Sequence, residues 1–68
     1  MTLYYFAVQI LEGQKMRACV YRFAEYHNIA AHLSEPEVVA ANICPTKKRA
    51  YELANAWNKG FAESGILA

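Results

Sequence analysis

Apolar and polar positions along the chain fall into three patterns. Residues 3–11 (LYYFAVQIL) and 15–24 (KMRACVYRFA) are dense in aromatic and β-branched side chains and are separated only by Glu12-Gly13-Gln14. Two such runs around a short Gly-containing break predict a β-hairpin. Placing Gly13-Gln14 in a two-residue type II′ turn gives Gly13 the positive φ and fixes the register. Glu12 then meets Lys15, Val8 meets Cys19 and Phe6 meets Tyr21. Because side chains alternate along a strand, one ribbon face carries Tyr4, Phe6, Val8, Ile10, Cys19, Tyr21 and Phe23. The other carries Leu3, Tyr5, Ala7, Leu11, Met16, Ala18 and Val20. Both faces are apolar.

The pattern changes period after residue 46. Ala50, Leu53, Ala54, Trp57 and Phe61 recur at helical spacing, with Lys48, Glu52, Asn55, Lys59 and Glu63 opposite them. This predicts an amphipathic helix over about residues 47–63, preceded by Pro45 and N-capped by Thr46. Gly65 suits the left-handed position after the last turn, with Ile66 folding back towards Phe61. Trp57, large and mid-stripe, is expected at the centre of the core.

Between hairpin and helix, residues 38–44 (VVAANIC) predict a third strand with Val39, Ala41 and Ile43 on one face. Asn28 is placed to cap a short helical turn over residues 29–33, and residues 34–37 (SEPE) read as a turn. The expected fold is therefore α+β: a small antiparallel sheet, made of the N-terminal hairpin and a third strand, packed by one C-terminal amphipathic helix, with a short helical turn between strands 2 and 3.

Size and composition narrow this further. A chain of 68 residues is one domain, since a second core would have no surface left to bury. At 56% hydrophobic residues it is too apolar to be disordered. The formal charge of +1 creates no general attraction to nucleic acid or anionic lipid. The N-terminal apolar stretch lacks preceding cations and breaks at Gln9 and Glu12, which predicts neither an export signal nor a membrane span. A cytoplasmic setting with Cys19 and Cys44 as free thiols follows.

Candidate chemistry is sparse. There is no Asp, and no hydrolase motif is present. Cys44 precedes a helix start carrying Lys47, Lys48 and Arg49, a setting that favours a thiolate, but it lacks a C-x-x-C companion and reads more simply as a small apolar side chain. His27 and His32 are five residues apart, off one helical face and away from cysteines at zinc spacing. No metal, cofactor or enzymatic activity is expected.

Lys47-Lys48-Arg49 is the oddest run, because cations at a helix N-terminus oppose the macrodipole. One reading is a site for phosphate or an acidic partner surface; the other is a solvated end. The segment T-K-K-R-A-Y-E-L-A-N-A-W, residues 46–57, following three strands, resembles the strand-to-helix part of the N-terminal arm-binding domains of phage and transposon integrases. It covers about a fifth of the chain. The resemblance implies a three-stranded sheet with one helix and a DNA-binding role, although those domains have a more basic sheet.

Two functions remain. The first is a non-enzymatic protein-interaction or regulatory accessory module, a homo-oligomer (a dimer) or a module docking on another protein. One helix cannot cover both apolar ribbon faces, and Tyr5, Ala7, Met16, Ala18 and Val20 line the face expected to remain for the partner. The alternative is a nucleic-acid-binding domain using Lys47, Lys48 and Arg49 with the strand cations Arg17 and Arg22.

Overall fold

The computed structural model describes residues 3–24 and 33–68. Its order is β1 (Tyr4–Glu12), β2 (Lys15–Phe23), β3 (Val38–Cys44) and one long helix, here α1 (Lys47–Glu63). The sheet is antiparallel throughout and runs β2-β1-β3, so the N-terminal strand is central.

The hairpin has the register that its turn dictates: Glu12 pairs with Lys15, Val8 with Cys19 and Phe6 with Tyr21. Gly13 has φ +65 while Gln14 keeps a negative φ, as a type II′ turn requires. β3 departs from simple alternation. Gln9 pairs with Ala40 but Ile10 with Val38, so Val39 is the extra residue of a β-bulge. Val38 and Ala41 consequently pack on the hairpin, whereas Val39 and Ile43 stay 50% and 60% exposed.

Phe6, Val8, Ile10 and Phe23 form the core cluster, with Tyr4, Cys19, Tyr21, Leu33, Val38 and Ala41 packed around it. This is the aromatic face of the sheet, and Leu33 lies against it from the β2–β3 connection. Residues 34–37 make the expected turn, while the helical turn expected over residues 29–33 falls mainly outside the described residues.

α1 lies on the opposite face, mainly over β2 and β1. Its buried residues are Ala50 and Ala54, and the buried sheet residues of that face are Ala7 and Ala18. Small side chains on both surfaces bring the helix close to the sheet. Trp57 is therefore not the centre of the core: it is half-buried, as are Leu53 and Phe61. The buried large sheet side chains Phe6, Val8, Ile10 and Phe23 point to the other face.

The helix ends follow from local chemistry. Thr46 Oγ1 accepts a hydrogen bond from the Arg49 amide at 3.2 Å. At the C-terminus the Ile66 amide donates to the Phe61 carbonyl and the Gly65 amide to that of Ala62, with Gly65 at φ +74. This is the double-bonded glycine termination the sequence suggests.

Candidate interaction surface

The two outer edges of the sheet differ. On β2, Ala18 directs its amide and carbonyl outward, where the side chain of Asn58 meets both: the amide donates to Asn58 Oδ1 at 2.7 Å and Asn58 Nδ2 donates to the carbonyl at 2.9 Å. One carboxamide thus replaces a neighbouring strand. Two residues earlier, the chain end does the same: the Met16 amide donates to the Ile66 carbonyl and the Ala68 amide to the Met16 carbonyl. Lys15 Nζ adds a bond to the Gly65 carbonyl at 3.0 Å. Much of the β2 edge is therefore occupied from within.

Among the described residues, no strand or side-chain bridge covers the outer edge of β3. Its seven residues, VVAANIC, contain no charge and no proline, two of the usual devices that blunt a sheet edge. On the helix side, α1 barely reaches this strand. An open groove of about 600 Å³ remains, lined by Asn42, Cys44, Pro45, Arg49, Glu52 and Leu53 among others.

Lys47, Lys48 and Arg49 are exposed on the first turn of α1, and Arg49 Nη1 donates to Glu52 Oε2 at 3.1 Å. Arg17 lies at the hairpin end of β2, its Nε on Glu12 Oε1 at 2.8 Å, a bond that raises the guanidinium pKa further. Arg22 is exposed near the other end of β2, and alternation puts it on the opposite sheet face from Arg17. Arg17 and Arg49 are thus tied to carboxylates.

The face assigned to a partner is the one α1 occupies. Ala7 and Ala18 are buried within the chain, and Tyr5, Met16 and Val20 are half-buried. With Leu33 packed on the aromatic face and α1 on the other, both faces have internal contacts, and among the described residues the outer edge of β3 has no strand beside it. Sequence alternation ranks faces and is silent about edges, because strand order is a tertiary property. Asn58 was equally hidden, its only local signal being a poor helix former in mid-helix.

Cys44 sits in the groove with its Sγ 3.7 Å from the Asn42 carbonyl, while Cys19 is half-buried on β2, where burial pushes its thiol pKa up. Both are unbonded. His27 and His32 lie outside the described residues, and no group of three metal-ligating side chains occurs among those described. No described helix is long and apolar enough to cross a membrane. No family model, curated protein or solved structure matches the chain.

Proposed function

We propose that this chain is a small, non-enzymatic interaction module of the cytoplasm that self-associates by strand addition at β3. The observation that carries the reading is the contrast between edges: β2 is bridged by Asn58 and the chain end, while among the described residues nothing bridges the uncharged edge of β3, where Val39 and Ile43 are exposed. Backbone amides and carbonyls on such an edge recruit another strand, and apolar side chains beside them add burial.

Sedimentation equilibrium tests the association. A dimer that dissociates on dilution, with a parallel fall in thermal stability, is the expected result. A well-folded monomer at high micromolar concentration overturns the reading. Titration with duplex and single-stranded DNA should give no saturable binding; salt-steep binding would favour the nucleic-acid alternative.

A further inference from the structure

We infer that β2 is a second strand-addition edge held shut by two internal caps, Asn58 at Ala18 and residues 66–68 at Met16, and that these caps stop self-association from spreading through the sheet. The second half rests on the self-association proposed above; the capped edge stands on the fold alone.

Backbone direction makes β2 an edge that needs shutting. Glu12 and Lys15 flank the two-residue turn and bond each other, so every second residue of β2 from Met16 onward turns its amide and carbonyl away from β1. Met16 and Ala18 are the first two. Together they present two donors and two acceptors in a row, the groups on which an incoming strand builds a ladder. The strand itself, KMRACVYRF, is rich in aromatic and apolar residues towards its far end. Of its three cations, Lys15 is bonded to the Gly65 carbonyl and Arg17 to Glu12, so charge alone does not blunt this edge.

Both outward residues are satisfied in full by the same chain. Asn58 bonds the Ala18 amide and carbonyl at 2.7 and 2.9 Å. The Ile66 carbonyl and the Ala68 amide bond Met16 at 2.7 and 2.9 Å, with Leu67 opposite Met16 as in a parallel strand. All four groups that strand addition would use are taken. Each cap requires a residue that local structure does not favour. Asn58 is a poorer helix former than Ala inside α1. Residues 66–68 are steered onto Met16 by Gly65 at φ +74, a conformation that β-branched residues resist. Ile66 and Leu67 stay 36% and 39% exposed, so the backbone bonds do much of the holding.

The consequence lies in how an assembly ends. Pairing of β3 with β3 uses the same patch on both copies and closes at two. A copy whose β2 is also open has two addition edges, and such sheets grow without closing.

Sedimentation equilibrium over a concentration series tests this, with circular dichroism to verify folding. Asn58→Ala frees the Ala18 groups. Gly65→Val dislodges residues 66–68 through its strained φ, since an added Cβ there meets nothing within 4 Å. The double variant should reach a mass at least about two-fold above wild type. Adding Met16→Pro removes one outward amide and should return the mass to the wild-type value. A folded double variant of wild-type mass overturns the capped edge, and so does growth that survives Met16→Pro. A monomeric wild type whose double variant pairs, reversibly by Met16→Pro, supports the capped edge while association through β3 falls. A wild-type dimer with an unchanged double variant does the reverse. Should the double variant not fold, hydrogen exchange on the wild type decides. The Met16 and Ala18 amides should exchange at least about 100-fold more slowly than in an unfolded peptide, equally at low and high protein concentration. Free exchange, or protection that appears only at high concentration, overturns the internal caps.

Discussion

Phe6 meets Phe23 edge-on, with ring centroids 5.9 Å apart, and Tyr21 meets Phe23 the same way at 6.0 Å. This is the favoured geometry for aromatic quadrupoles. Beside them Val8 is fully buried, so the best-excluded apolar volume belongs to the sheet. Phe6→Ala should cost about 3–5 kcal/mol, enough to unfold most molecules of a domain this small. Trp57→Ala, at a half-buried position, should cost less. Urea denaturation of the two variants measures the order, and a larger loss for Trp57→Ala would return the core's centre to the helix.

At the scale of elements, the informative feature is how β2 is terminated sideways. Asn58 supplies both a donor and an acceptor to Ala18, matching what a strand would offer at that residue. Removing a partner leaves part-buried backbone groups unsatisfied, and the expected cost of Asn58→Ala is about 1–3 kcal/mol. Asn58→Asp keeps the acceptor and loses the donor, so it should fall between wild type and Ala. Thermal unfolding of both variants checks this. Equal stability of Asn58→Ala and wild type would show that the bridge contributes nothing to holding α1 on the sheet.

For the molecule as a whole, alkaline pH probes the core. Burial is the main cause that raises the Cys19 thiol, partly opposed by Arg17, and burial likewise raises the Tyr21 hydroxyl. Both groups hold their protons more tightly when folded, so above their ordinary pKa the unfolded chain binds fewer protons and stability falls with rising pH. The contribution is complete below the ordinary thiol value of 9.0 and declines from there as first Cys19 and then Tyr21, ordinarily 10.0, would ionise on unfolding. Urea midpoints should therefore drop from about pH 9 upward. Cys19→Ala/Tyr21→Phe should flatten that drop, and an unchanged slope in the double variant would assign it to other groups.

Much of this architecture was legible in the residues alone, because its determinants are local. Gly13 dictates the turn and hence the hairpin register, while Thr46 and Gly65 bound the helix through backbone bonds of a few residues. Period-two and period-3.6 patterns sort side chains onto faces, and those faces are the ones observed for β1 and β2. What the pattern leaves open is which face meets which element. Strand order put the N-terminal strand in the centre, the bulge displaced Val39, and small-on-small packing set α1 over Ala7 and Ala18 in place of a second subunit. Whether an edge is covered depends on residues 40 or more positions away, such as Asn58 at Ala18 and the chain end at Met16. Such contacts have no period and no local signature, and only the folded chain brings them together.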